Sequence, residues 1–116
     1  MGTLVSPVTR ILGVVLLVVG LLGFVMSSPL LGFFEVDTIH NLIHVASGVV
    51  ALVVAGNMAY ARMYLIVFGL VYALVALVGY VQGTTVLGIF AVNAADNALH
   101  AAIGAVCLVI GFGSKA

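Results

Sequence analysis

Residues 10–53, RILGVVLLVVGLLGFVMSSPLLGFFEVDTIHNLIHVASGVVALV, decide the fold because their pattern returns at residues 66–109, IVFGLVYALVALVGYVQGTTVLGIFAVNAADNALHAAIGAVCLV. A shift of 56 residues aligns the two stretches without a gap, and 17 of the 44 aligned positions are identical. The identical positions include glycine, asparagine, histidine and phenylalanine, which rarely coincide by chance in a chain dominated by valine and leucine. The sequence therefore predicts two copies of one unit, covering about 10–56 and about 66–112.

The composition indicates that lipid surrounds most of the chain. Hydrophobic residues make up 66% of the sequence and charged residues 5%, which leaves too few polar side chains to cover a soluble domain. Four apolar stretches, at about Arg10–Met26, Thr38–Gly56, Met63–Val81 and Asn93–Phe112, approach the roughly 20 residues that a bilayer-spanning helix needs. We expect an all-α integral membrane four-helix bundle that forms a single transmembrane domain over residues 1–116.

The charged residues predict how this bundle is oriented. Each repeat unit crosses the bilayer twice, so the two helix hairpins are parallel repeats related by a pseudo-twofold axis along the membrane normal. The basic residues fall on one side of the membrane and the acidic residues on the other: Arg10, Arg62 and Lys115 against Glu35, Asp37 and Asp96. Because basic residues mark the cytoplasmic side, we expect both termini to be cytoplasmic. The zero net charge argues against a nucleic-acid partner.

Small residues predict which helices pack together. They recur at four-residue spacing in the second and fourth helices, as at Ser47, Ala51 and Ala55, and Gly48 and Gly104 lie beside these stripes. Since small residues let membrane helices approach closely, we expect a compact bundle with the second and fourth helices near its centre. A metal site would require these two helices to be in direct contact at their outer ends, which Gly48 and Gly104 would allow. Small-residue faces left over after the bundle closes would favour a homodimer or a larger membrane complex.

Six polar residues at the starts of the second and fourth helices are the candidates for chemistry, because ionisable groups within a membrane are costly and often functional. They occupy equivalent positions of the two repeats: His40, Asn41 and His44, and Asp96, Asn97 and His100. Residues four apart share a helix face. If these faces meet, His40, His44, Asp96 and His100 could hold a divalent transition metal, for which imidazole and carboxylate are common ligands.

Other interpretations of the same residues stay open. His44 and His100 could instead ligate a haem or chlorophyll-like pigment, with Asn41 and Asn97 as cofactor-binding donors behind either kind of centre. The histidines and asparagines could also form structural hydrogen bonds between helices. Asp96 could merely cap its helix together with Asn93, and His40 could be a solvated side chain of the first helical turn.

The segments HNxxHxxxG at residues 40–48 and NxxDNxLHxxxG at residues 93–104 resemble a family of small bacterial membrane proteins catalogued as domain of unknown function 4383. The resemblance covers nearly the whole chain. It implies a four-helix bacterial membrane protein, and it implies no activity. We expect a multi-pass protein of the bacterial cytoplasmic membrane.

The residues favour a non-enzymatic accessory or binding protein that contacts the lipid bilayer. No catalytic residue is predicted, since the sequence shows no nucleophile with an adjacent base. Two alternatives are a small transporter or transporter subunit, because polar residues on the axis of parallel repeats suit a permeation path, and a purely structural membrane subunit.

Overall fold

The computed structural model describes residues 2–26 and 28–114, and its architecture is all-α. Four helices follow a 3₁₀ turn at Gly2–Leu4: α1 Val5–Val25, α2 Thr38–Val54, α3 Met58–Gln82 and α4 Ala94–Gly113. Two short strands, β1 Thr85–Val86 and β2 Phe90–Ala91, form an antiparallel hairpin between α3 and α4. Lys115, one of the three predicted orientation markers, lies outside the described residues.

Helices α1 and α3 begin earlier than the sequence analysis placed them. They start at Val5 and Met58 rather than at Arg10 and Met63. Asn57 explains the early start of α3, because it caps that helix by accepting a hydrogen bond from the backbone N–H of Tyr60 at 3.1 Å. Helices of this kind can carry polar or charged residues in their first turns. A helix length estimated from the apolar stretch alone is therefore too short.

The connectors between α1 and α2 and between α3 and α4 lie at the same end of the bundle, which we call the loop end. Each contains the same tight turn, with positive φ at Leu31 and Gly32 and again at Leu87 and Gly88. Two consecutive residues with positive φ are characteristic of the type I′ turn that joins antiparallel strands. The resulting β1–β2 hairpin was not predicted, because strands of two residues carry no periodicity.

Glycines close each helix hairpin internally. A Cβ atom placed on Gly48 of α2 would lie 2.6 Å from the backbone nitrogen of Leu17 in α1, and one on Gly104 of α4 would lie 2.8 Å from the backbone nitrogen of Ala73 in α3. The close approaches therefore join α1 with α2 and α3 with α4. The prediction that these glycines pack α2 directly on α4 is wrong.

The contacts between the two hairpins involve other helix pairs than the contacts within each hairpin. The close contacts between them join α1 with α3 and α2 with α3, whereas α2 and α4 have few close backbone contacts. Near the end opposite the loops, the core between the hairpins includes Val5, Leu65 and Tyr64. At the loop end, Val86, Phe90 and Val92 form a second apolar cluster. Side chains, not backbones, therefore carry the contact between α2 and α4.

Helices α1, α3 and α4 are long and apolar enough to cross a membrane, and α2 is apolar but shorter at 17 residues. At 1.5 Å per residue α2 is about 26 Å long, slightly less than the roughly 30 Å of a bilayer core. Large apolar side chains are exposed on every helix, including Ile11, Val53, Val81 and Phe112. A surface of this kind suits lipid better than water.

Candidate metal centre

Two helix caps set the depth of the candidate site at the loop end. Asp37 caps α2 by accepting a hydrogen bond from the backbone N–H of His40 at 2.8 Å, and Asn93 caps α4 by accepting one from the backbone N–H of Asp96 at 2.9 Å. These caps begin the two helices at equivalent positions of the repeat. As a result His44 and His100 lie at matching points, two turns into α2 and α4.

Three imidazoles from these helices converge in the interior. His40, His44 and His100 are each no more than 2% exposed, and one ring nitrogen from each lies within 4.8 Å of the others. The closest pair of atoms is Nε2 of His40 and Nε2 of His100, at 3.4 Å. The ring centroids of His40 and His44 are 4.5 Å apart. The interpretation of His40 as a solvated side chain is wrong, because the ring is buried.

A backbone carbonyl fixes the orientation of the His40 ring. Nδ1 of His40 lies 2.9 Å from the carbonyl oxygen of Ala91 in β2. Because a carbonyl can only accept, Nδ1 carries the proton and the neutral ring presents the lone pair of Nε2 to the other histidines. A metal-binding histidine commonly donates its second nitrogen to a carbonyl in this way.

Asp37 holds that carbonyl in position. Its second carboxylate oxygen accepts a hydrogen bond from the backbone N–H of Ala91 at 2.7 Å, while the first caps α2 at His40. The Asp37 side chain thus hydrogen-bonds both to α2, which carries His40, and to β2, which orients the His40 ring. Aspartate is a residue type that commonly caps helices, but the sequence gave no signal for Ala91, since the contact depends on the unpredicted β1–β2 hairpin.

The other two imidazoles lack hydrogen-bond partners. Both ring nitrogens of His44 and the Nδ1 atom of His100 are buried without a partner among the described residues. A neutral imidazole always carries one N–H, so His44 buries an unsatisfied donor whichever tautomer it adopts. Leaving a buried donor unsatisfied costs about 1–3 kcal/mol. Such an arrangement points to a bound ion or water at this position.

A cavity of about 240 Å³ adjoins the three histidines. Its other lining residues come from α2, α3 and β2: Ile43, Val71, Tyr72, Val75 and Phe90. The hydroxyl of Tyr72 donates to Oγ of Ser47 at 3.2 Å, as expected for a packed aromatic residue with one hydrogen bond. The imidazole nitrogens are therefore the polar atoms that this cavity offers to a ligand.

Asp96 does not join the three histidines. Its carboxylate oxygen Oδ2 accepts a hydrogen bond from the backbone N–H of Asn93 at 2.9 Å, which completes a capping box with the Asn93 side chain. Asp96 therefore caps α4, which was the alternative to metal ligation. Of the four proposed metal ligands, three converge.

Asn41 and Asn97 also lie apart from the imidazoles. In each case Oδ1 is buried without a hydrogen-bond partner and points at a glycine of the neighbouring helix, Gly23 for Asn41 and Gly79 for Asn97. A Cβ atom at either glycine would overlap that oxygen. None of the hydrogen bonds found within residues 2–26 and 28–114 joins an asparagine to a histidine, so the predicted support of the centre by these amides is not seen.

Acidic groups surround the loop end of the site. Asp96 is close enough to Glu35 and Asp37 for their charges to act on it. Arg10 and Arg62 lie early in α1 and α3, towards the opposite end of the bundle. The local charge around the three histidines is therefore negative, which favours a cation over an anion.

The family described as Domain of unknown function (DUF4383) matches residues 7–113, so the chain belongs to this family. No curated protein and no solved structure matches the chain.

Proposed function

We propose that this DUF4383 chain is a non-enzymatic membrane protein that binds one divalent first-row transition-metal ion through His40, His44 and His100. The observation that carries the proposal is the convergence of three buried imidazoles with three unpartnered ring nitrogens. Imidazole is a common ligand for zinc, copper, iron and nickel, so the donor set itself does not select among them.

The geometry of His40 and His100 suits a shared ion. Two nitrogens bound to one tetrahedral ion at about 2.0–2.1 Å lie about 3.3–3.4 Å apart. The observed separation of the two Nε2 atoms is 3.4 Å. His44 completes the set after a small change of its side-chain torsions, because its ligand nitrogen already lies within 4.8 Å of the other two. The nearby carboxylates of Asp37 and Asp96 offset part of the ion's charge.

A metal ion fits this site better than a tetrapyrrole. Axial ligation by His44 and His100 would require a flat macrocycle between their rings. His40 occupies that region, with its ring centroid 4.5 Å from that of His44 and 5.3 Å from that of His100. The adjoining cavity of about 240 Å³ is also smaller than the roughly 300–1,000 Å³ typical of pockets for organic ligands.

The proposal places all four helices in the bacterial cytoplasmic membrane, with both termini in the cytoplasm and the metal centre near the outer face. The positions of Arg10 and Arg62, away from the loop end, support this orientation. We further propose that the two hairpins are duplicated units related by a pseudo-twofold axis. Matched contacts support the duplication, since a Cβ on Gly13 would meet Ala51 and one on Gly69 would meet Cys107, the equivalent pair 56 residues later.

A transporter is the second candidate. Its support is a buried polar string below the histidines, in which Tyr72 donates to Oγ of Ser47 and Tyr64 donates to the backbone carbonyl of Ser47 at 2.9 Å. This string leads from the centre along α2 and α3 towards the opposite end. All of its groups are neutral hydroxyls or carbonyls, so a cation moving along it would meet no charged side chain that could bind it.

Metal analysis of the detergent-purified protein tests the proposal. After supply of zinc or cobalt and removal of loosely bound ions, we expect one metal ion per chain. His44→Gln should abolish this binding, because glutamine preserves much of the side-chain volume but lacks the imidazole nitrogens. Leu42→Ala serves as a matched control, since Leu42 lies two residues away on the exposed surface of α2.

Circular dichroism and gel filtration establish that both variants keep the helical fold. Loss of metal in His44→Gln with retention in Leu42→Ala supports the centre. Absence of bound metal from the wild-type protein under every metal supplied, or equal retention by His44→Gln, rejects the centre and leaves the three histidines as structural contacts between helices.

A further inference from the structure

We infer that the proposed metal ion keeps one coordination position open to a small, uncharged ligand that enters from the bilayer between α2 and α3. The inference rests on the proposed function, because it concerns the ion that the three histidines would hold. It adds a binding activity to that centre and specifies the chemical class of the molecule bound.

The first support is the lack of a fourth protein ligand. The cavity beside the histidines is lined otherwise by four apolar side chains and by Tyr72, whose hydroxyl is engaged with Ser47. Asp96 is engaged in its capping box. Three protein ligands with a vacant fourth position are typical of metal centres that bind exogenous molecules, whereas purely structural zinc sites have four protein ligands.

The second support is the route into the cavity. Val71 of α3 lines the cavity and is also 46% exposed on the outer surface of the bundle, so this side chain lies between the cavity and the surface proposed to face lipid. Ile43 and Val75 also line the cavity. Apolar walls favour a molecule that already dissolves in the bilayer and penalise one that must shed a hydration shell.

Charge also argues against an anionic ligand. Glu35, Asp37 and Asp96 lie at the loop end, the side from which a water-soluble anion would approach. Like charges repel the anion along that path. A cavity of about 240 Å³ corresponds to about eight water molecules at about 30 Å³ each in the liquid, so it admits only a small molecule. Dissolved diatomic gases are among the small uncharged molecules that fit it.

The other side of the bundle supplies a matched comparison. A crevice between α1 and α4 is lined by apolar residues, among them Val15 and Leu99, which are the repeat equivalents of Val71 and Ile43. Leu16 is the repeat equivalent of Tyr72 and is buried. The three histidines line the α2–α3 cavity and none of them lines the α1–α4 crevice, so the two differ in chemistry.

Nitric oxide binding to the iron(II)-loaded protein tests the inference, with azide as the charged probe. Nitric oxide forms one iron–nitrogen bond and displaces at most a water molecule, and the electron paramagnetic resonance spectrum of iron–nitrosyl reports it. We expect saturable binding of nitric oxide and at least tenfold weaker binding of azide. Val71→Phe should weaken nitric oxide binding at least tenfold, whereas Val15→Phe, at a position of similar exposure, should leave it unchanged.

Metal content is measured in every sample, which separates the two proposals. If the protein binds no metal, the proposed function fails. If it binds iron but nitric oxide leaves the spectrum unchanged, the coordination sphere is closed and this inference is wrong. Equal binding of azide, or equal effects of the two phenylalanine substitutions, contradicts the entry of an uncharged ligand between α2 and α3. Val71→Leu provides a milder obstruction if Val71→Phe lowers the metal content.

Discussion

Gly48→Ala should loosen the first helix hairpin and disturb the proposed metal centre. A Cβ atom at this position would lie 2.6 Å from the backbone nitrogen of Leu17 and 2.8 Å from the carbonyl oxygen of Gly13. Both contacts are with backbone atoms of α1, so no side chain can rotate away. Helix α2 must therefore move, and His44, one turn from Gly48 on the same face, must move with it.

The size of the effect follows from these distances. Ordinary contact begins at 3.4 Å, so α2 must shift by about 0.8 Å, the difference between 3.4 and 2.6 Å. Overpacking of this kind costs about 1–3 kcal/mol. Replacing a helical glycine by alanine returns about 0.5–1 kcal/mol through backbone entropy. The difference spans about 0–2.5 kcal/mol, and we expect the free energy of unfolding to fall by about 1 kcal/mol.

Unfolding in mixed detergent micelles, followed by circular dichroism, measures this change. Gly56→Ala is the control, because a Cβ there meets nothing within 4 Å and its φ is not positive. Metal affinity, measured in the same samples, should fall for Gly48→Ala and stay unchanged for Gly56→Ala. If Gly48→Ala is at least as stable as the wild-type protein, contact between Gly48 and the backbone of α1 does not set the spacing of α1 and α2.

Three further substitutions probe the site and the orientation. Asp96→Asn should retain bound metal, because this carboxylate caps α4 rather than joining the histidines, and it should lower stability by about 1 kcal/mol. Tyr72→Phe should lower the free energy of unfolding by about 0.5–1.5 kcal/mol, through loss of its hydrogen bond to Ser47, and leave the metal stoichiometry at its wild-type value. A cysteine introduced at Glu35 should react with a membrane-impermeant thiol reagent added outside intact cells, whereas one introduced at Arg62 should not.

Each of these outcomes has a clear opposite. Metal loss in Asp96→Asn, with the helical content unchanged, would make Asp96 a fourth ligand and close the open position. Unchanged stability of Tyr72→Phe would mean that the hydroxyl finds no better partner in the folded protein than in the unfolded one. Labelling of only the cysteine introduced at Arg62 would mean that the orientation is the reverse of the proposed one, with the proposed metal centre at the cytoplasmic face.

The local features of the chain could be predicted from the sequence. The all-α class follows from the long apolar stretches, and the caps at Asp37 and Asn93 follow from residue types that satisfy free backbone N–H groups. Because the repeat aligns these caps, it also predicts that His44 and His100 lie at matching depth. The helical class and the caps depend on neighbours within a few residues along the chain, and the matching depth depends on the 56-residue repeat.

Tertiary structure alone decided which way each polar side chain points. His40 and Asp96 occupy equivalent positions, yet His40 reaches His100 while Asp96 turns back to cap its own helix. Asn41 and Asn97 point at glycines within their own hairpins rather than at the histidines. The physical reason is that, apart from the few polar residues of α2 and α4, these helices are apolar on every side. A periodic pattern reveals a helix's rotation only when one face is polar, and here glycine contacts with the neighbouring backbone fix that rotation instead.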